Sequence, residues 1–392
     1  MTLFFIFITG LYLTLMLLLL IGWRRIPKFE LKHSTPEVNF SIVIPYRNEA
    51  ENLPVLLNSI LKLKYPLSLF EILLVNDSSE DGSGKICSHF KTRYPELQIS
   101  LLENQRISGS PKKDAILTAI KTARHPYILT TDADCKLPVF WLQAFNEKIL
   151  ETEAKLIAGP VTTFKTRLIA NKDLKQEIKK EKRRFKYFQA FQEMDFLSLQ
   201  IAGAGGFGLK KAFMCNGANL CYSKSAFFEL DGFSGNGAIS SGDDVFLLQK
   251  FTEKKLKIAF LKCEEAIVLT KPQQDLSALI SQRIRWAAKT PAYKSLFAKL
   301  IGFSVLMMNF SLILGSILSF FDVIPFQPVL LAFFFKFNVD FALLFYSAEF
   351  FHRKDILRNY FWSSLVYPVF STAVAFMSLF KKFEWKGREF RS

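Results

Sequence analysis

Phe40-Ser41-Ile42-Val43-Ile44-Pro45 runs directly into the polar turn Tyr46-Arg47-Asn48-Glu49, and the reading of the fold starts there. Six residues this apolar, bounded by a polar turn, read as a buried strand rather than a helix. Asn48 is then expected to cap a helix with Glu49 and Glu51 in its first turn and Leu53, Leu56, Leu57, Ile60 and Leu61 on one face. The pattern repeats downstream. Glu71 to Asn76, Gln98 to Glu103 and Tyr127 to Thr131 read as strands separated by amphipathic stretches, which predicts an α/β domain around a mostly parallel sheet. Lys155 to Val161 and Ala212 to Tyr222 are expected to complete that sheet, the latter after a glycine-rich segment, Gly203 to Gly208, read as a mobile loop.

Outside this block the chain changes character. Leu3 to Trp23 is almost unbroken Leu, Phe and Ile, long enough for the about 20 residues that span a bilayer core. It lacks the basic start and small-residue cleavage site of a signal peptide. Residues 1–24 are therefore expected to be a transmembrane helix. Arg24, Arg25, Lys28 and Lys32 follow it, which favours a cytosolic middle domain, 38–273. Residues 274–295 form an amphipathic interface segment, and 296–380 hold three candidate spans, Leu296 to Phe321, Phe326 to Phe350 and Tyr360 to Phe380. The chain thus reads as a multi-pass integral protein of the inner or plasma membrane. Lys336 and Asp340, at i, i+4 inside the second of these spans, can pair away from lipid. Three further spans would put the basic tail, 381–392, outside, against the positive-inside tendency, so one segment is re-entrant or interfacial or the tendency fails here.

The net charge of +16 over 392 residues is explained better by membrane than by nucleic acid. Its densest stretch, Lys165 to Lys186, fits anionic headgroups or a solvated helix face equally well. Five cysteines without a CxxC pair, and four scattered histidines, point to reduced thiols and no zinc site.

Four short motifs carry chemistry. Thr131-Asp132-Ala133-Asp134 puts two carboxylates directly after a buried strand. Ionised carboxylates there are costly unless a cation joins them, and Mg2+ or Mn2+ takes oxygen ligands and bridges a diphosphate. Asn76-Asp77 ends another strand, so both acidic turns would line the crevice beyond the carboxyl ends of a parallel sheet; a simple Asp-Ser turn is the bland reading. Asp243-Asp244 opens a predicted helix, where it either favours the helix dipole or supplies a general base. Gln282-Arg283-Ile284-Arg285-Trp286 precedes the membrane, where Arg and Trp are also common anchors.

Together these motifs resemble the inverting family 2 glycosyltransferases with their GT-A fold, a Rossmann-like mostly parallel sheet, and in particular their membrane-bound members. The resemblance covers roughly residues 38 to 290. It implies that Pro45, Tyr46, Asn48 and Glu49 surround a nucleoside and that Asp77 binds its base. Lys112 or Lys113 matches the family's lysine before a helix, and Asp132 and Asp134 match the metal-binding DxD. Asn216, Gly217 and Ala218 resemble the segment that lies beside the donor sugar in that family, Asp244, beside Asp243, matches its catalytic base, and Gln282, Arg285 and Trp286 match QxxRW. Asp243 stands where many relatives have Glu.

The implied activity is metal-dependent, inverting transfer of a sugar from a nucleotide diphosphate, expected to be a UDP-sugar, to a lipid or glycan acceptor at the cytosolic membrane face. Arg285 can clamp the diphosphate. Nucleic acid is not expected as a partner. Two other readings stay open. A sugar nucleotidyltransferase would carry a Gly-rich phosphate loop where this chain has Tyr46-Arg47-Asn48-Glu49. A catalytically silent nucleotide-sugar-binding or scaffold subunit would be marked by loss of an acid that is here present.

Overall fold

The computed structural model describes residues 2–164, 177–237, 239, 241–380, 383–385 and 388–390. Its strands are β1 (Phe40–Tyr46), β2 (Phe70–Asn76), β3 (Ile99–Glu103), β4 (Tyr127–Thr130), β5 (Cys135–Lys136), β6 (Leu156–Ala158), β7 (Val161–Thr163), β8 (Leu220–Ser223), β9 (Ile258–Phe260), β10 (Val268–Thr270), β11 (Phe383–Trp385) and β12 (Arg388–Phe390). The helices are α1 (Thr2–Arg25), α2 (Leu53–Ile60), α3 (Ser83–Arg93), α4 (Pro111–Thr122), α5 (Trp141–Thr152), α6 (Glu177–Gly208), α7 (Lys224–Glu229), α8 (Asp243–Glu253), α9 (Leu276–Ala287), α10 (Leu296–Phe320), α11 (Phe326–Phe350) and α12 (Tyr360–Phe380).

The larger sheet has the order β3-β2-β1-β4-β8-β6-β9. β1 pairs in parallel with both β2 and β4, while β8 runs antiparallel to β4 and β6. Because β1 is buried on both faces, it cannot show polar alternation. Its alternate residues serve two cores: Ile42 and Ile44 pack with Leu53, Leu56, Leu57 and Ile60 of α2. Val43 packs with Ala115, Ile116, Ala119 and Ile120 of α4. Each such side chain contributes about 1.5–3 kcal/mol on burial. The chain steps outward from β1 to β3 and then returns to β4 on the other side of β1, so the order reverses between β1 and β4. Their carboxyl ends open the crevice in which Asp77, Asp132 and Asp134 follow β2 and β4.

The expected elements shift at four places. The first helix begins at Leu53, with Asn52 at its N-cap position. Asn48 does not cap it; it takes a left-handed φ of 51° and ties the first turn to the second, its backbone N–H donating to Ser79 Oγ at 3.1 Å and its Oδ1 accepting from Glu80 N–H at 2.9 Å. Lys155 to Val161 is split by Gly159-Pro160 into β6 and β7, which join different sheets. From Ala212 to Tyr222 only Leu220 onward is strand, after a 3-10 turn over Gly217–Asn219.

The largest difference is Gly203 to Gly208. These residues are not a loop but the last turns of α6, packed on α1. A Cβ on Gly208 would lie 1.9 Å from Gly22 O, one on Gly22 2.1 Å from Gly205 O, and one on Gly205 2.4 Å from Leu19 O. The two backbones touch, and only glycine permits that approach.

α1, α10, α11 and α12 are each long and apolar enough to cross a membrane. Their outward face carries Leu3, Phe303, Phe320, Phe334 and Trp362, a cost in water that hydrocarbon removes. Inside the bundle Lys336 pairs with Asp340, which also accepts from the Tyr12 hydroxyl at 2.6 Å. At the end of α11 the buried Arg353 pairs with Glu193 of α6 and donates to Thr163 O at 3.1 Å, joining bundle to sheet. In the tail, β11 lies against α9. The basic run Lys165 to Lys186 falls, but for Lys186, outside the residues whose side chains are described.

Candidate active site

A cavity of about 1250 Å³ opens beyond the carboxyl ends of β1, β2 and β4. Its wall takes in Pro45, Tyr46, Glu49, Asp77, Lys112, Asp132, Asp134, Asn216, Gly217, Ala218, Asp243, Asp244, Gln282, Arg285 and Trp286. Asn48 and Lys113, also singled out from the sequence, stand outside that wall.

Lys112, in the first turn of α4, is the hub. Its ammonium lies 2.8 Å from Asp132 Oδ1 and 3.4 Å from Asp243 Oδ2. Burial by itself would lower its pKa, but Asp132 and Asp243 outweigh this and hold it above the usual lysine range. Lys113 turns the other way, donating to Asn236 O at 2.7 Å and Ile239 O at 2.9 Å. Burial pushes its pKa down to about 8.

The two carboxylates after β4 differ. Asp134 is pushed up to about 6, first by burial and then by Asp132 and Glu49. Thr270 at the end of β10 donates to its Oδ2 at 3.4 Å. Asp132 is the more exposed and is held by Lys112. Among the described residues no group of three His, Cys, Asp or Glu side chains gathers as a closed metal cage. Two hard oxygen donors beside an open cavity are a donor set that would suit Mg2+ or Mn2+.

The opposite wall is built on close approach. Gly217 lets its N–H donate to Asp244 Oδ2 at 3.1 Å; a Cβ there would lie 3.0 Å from Asp243 Oδ2. Thr130 Oγ1 holds the turn from behind through Gly217 O at 2.8 Å, and Asn216 Oδ1 accepts from Ala218 N–H at 3.0 Å. Burial would raise Asp243, but Lys112, Lys289 and Lys113 outweigh it and keep its pKa below the usual carboxylate range. Asp244 is the less buried of the pair.

Within QxxRW the two arginines divide. Arg283 is a buried strut, 2.5 Å from Asp195 of α6, hydrogen-bonded to Gln282 and 4.3 Å over the Trp286 ring. Arg285 faces the cavity. Burial lowers its pKa while Asp132, Asp243, Asp244 and Asp134 all pull it back.

Sequence reasoning missed several participants. Asn104 and Arg106 bind Asp77 Oδ1 at 2.7 and 2.8 Å. They follow β3 at the same sheet edge as Asp77, and that position was their signal. Thr270 had none, since only the β5-β10 pairing brings it to Asp134. Lys289 lines the cavity one helical turn beyond Arg285.

Residues 41–215 match the family described as Glycosyl transferase family 2. The curated relatives include the glycosyltransferase AglE of Haloferax volcanii, 32% identical over 121 residues, which are 31% of this chain and 38% of that protein. They also include the poly(ribitol-phosphate) beta-N-acetylglucosaminyltransferase TarS of Staphylococcus aureus, 32% identical over 97 residues, 25% of this chain and 16% of that one. The matches thus span well under half of those relatives. Among solved structures, the mannosyltransferase PcManGT from Pyrobaculum calidifontis, determined with GDP-Man and Mn2+, aligns with a TM-score of 0.57 over 97% of this chain and 99% of that one at 16% identity. At that identity the likeness is one of fold, the GT-A arrangement of a mostly parallel sheet.

Proposed function

We propose, from the family 2 glycosyltransferase domain at residues 41–215, that this chain transfers a sugar from a nucleoside diphosphate to a lipid or glycan acceptor at the cytosolic membrane face, with inversion. The observation that carries this reading is the single cavity wall shared by Asp77, Asp132, Asp134, Asp243 and Asp244, which come from three distant parts of the chain.

Asp77, steadied by Asn104 and Arg106, accepts from the nucleobase or ribose, with Pro45, Tyr46 and Glu49 around the nucleoside. Asp132 and Asp134 hold the divalent cation. When bound, that cation neutralises charge on the diphosphate leaving group. Arg285 places its guanidinium fork against the same phosphates. The acceptor O–H attacks the anomeric carbon from the face opposite the diphosphate; its proton passes to Asp244, and the anomeric C–O pair leaves with the nucleoside diphosphate. Asp244 suits this task better than Asp243. Asp243 is buried and held by lysines, which makes it a poor proton acceptor and a good anchor for Lys112.

Four apolar helices and the basic residues Arg24, Arg25, Lys28 and Lys32 after α1 support a membrane-bound protein with a cytosolic catalytic side. The test is to incubate membranes bearing the full chain with labelled UDP- and GDP-sugars and Mn2+, and to extract the lipid and polymer fractions. Label in either fraction is expected. No transfer and no donor hydrolysis from any sugar would refute the assignment and favour a silent scaffold.

A further inference from the structure

We infer that Lys289 binds a phosphate of the acceptor, and that the acceptor is an amphiphile whose apolar chain lies along α10 and α12. The place of this subsite in a reaction rests on the glycosyltransferase reading above; the binding it describes does not.

Lys289 is 9% exposed and forms part of the cavity wall. Among the described residues its ammonium has neither a hydrogen-bond acceptor nor a carboxylate within ion-pair distance, and a buried unpaired charge is costly unless a ligand supplies the counter-charge. The neighbouring cations are already engaged. Lys112 is held by Asp132 and Asp243, and Lys113 by two backbone carbonyls. Nor is Lys289 loosely placed. Its stem packs on Gly242, where a Cβ would lie 2.9 Å from Lys289 Cδ and where φ is +84°.

Its position separates it from the donor. Arg285 and Lys289 are four residues apart and both face the cavity, so two like charges converge on a space that anions must fill. The stem of Lys289 lies against Gly242, the residue directly before Asp243-Asp244, which places it on the side where the acceptor gives up its proton. From Lys289 the wall continues into the membrane bundle through Ala298, Ile301, Val305 and Leu306 of α10 and Val374 of α12. A neutral glycolipid would leave the ammonium unpaired, and a water-soluble phosphate would leave the apolar wall uncovered.

The test uses the full chain in detergent and measures equilibrium binding of farnesyl phosphate, farnesol and inorganic phosphate, with UDP and GDP plus Mn2+ as a separate arm. Wild type is expected to bind farnesyl phosphate more tightly than either comparator. Lys289→Met should lose farnesyl phosphate affinity by about 10- to 100-fold, the weight of a hydrogen bond to a charged group, with nucleotide affinity unchanged. Lys289→Arg should retain it. Equal binding of farnesol and farnesyl phosphate by wild type would overturn the subsite, and so would a Lys289→Met variant that loses nucleotide instead. Inorganic phosphate binding as tightly as farnesyl phosphate would refute the amphiphile. Failure of nucleotide to bind wild type, with the farnesyl phosphate result intact, would sink the glycosyltransferase reading alone.

Discussion

Replacing each acid of the Asp243-Asp244 pair by its isosteric amide separates proton transfer from architecture. Asp244 accepts two backbone N–H groups, from Gly217 at 3.1 Å and from Val245 at 2.7 Å. Asparagine keeps one acceptor and turns an NH2 toward the other donor, so Asp244→Asn should cost about 1 kcal/mol of stability. The loss in turnover should be far larger, about 10²- to 10⁴-fold if general-base catalysis has its usual weight, equivalent to about 2.7–5.5 kcal/mol in the barrier. Asp243→Asn should show the reverse balance. It leaves Lys112 with Asp132 alone in a largely buried setting, where removing one partner of an ion pair costs about 3 kcal/mol or more. The assay measures thermal midpoint, nucleotide affinity and single-turnover transfer for both variants. Transfer at the wild-type rate by Asp244→Asn would refute the base assignment. A deep turnover loss in Asp243→Asn at wild-type stability would move the base to Asp243.

Chelation by EDTA should abolish transfer and added Mn2+ or Mg2+ should restore it; undiminished transfer in EDTA would remove the role given to Asp132 and Asp134. The glycine contact between α1 and α6 predicts that Gly22→Val lowers the thermal midpoint, by a strain of about 1–3 kcal/mol. Gly10→Val on the same helix, where a Cβ meets nothing within 4 Å, should not; equal effects would contradict the close approach. Glu71 is buried and accepts from Ser41 Oγ at 2.6 Å, Arg124 N–H at 2.6 Å and Arg124 Nε at 2.9 Å. Burial alone would raise its pKa, but these donors hold it below the usual carboxylate range. Its contribution is therefore complete above the ordinary glutamate pKa and is lost as pH falls through the lowered folded value. Glu71→Gln should be less stable at neutral pH and should show a shallower acid limb in the stability profile; an unchanged limb would show that Glu71 is not what titrates.

Read from the sequence alone, the apolar runs at Phe40, Glu71 and Tyr127, each ending in a polar turn, already imply the parallel sheet and place Asp77 and Asp132 at its carboxyl edge. That works because strand burial and turn chemistry are local. The same local logic failed at Gly203 to Gly208. A glycine run signals a loop when only neighbours in sequence are counted, whereas here α1, some 180 residues earlier, packs on it and turns the missing side chains into a contact. Asn48 failed likewise, because its partners, Ser79 and Glu80, lie on the next strand's turn. Motifs named Asp132, Asp243, Gly217 and Arg285 one by one. That Lys112 bridges the first two, that Lys113 beside it faces away, and that Lys289 has no ion-pair partner among the described residues are decided by how α4, α8 and α9 meet around the cavity, because charge pairing depends on distances in space that no spacing along the chain encodes.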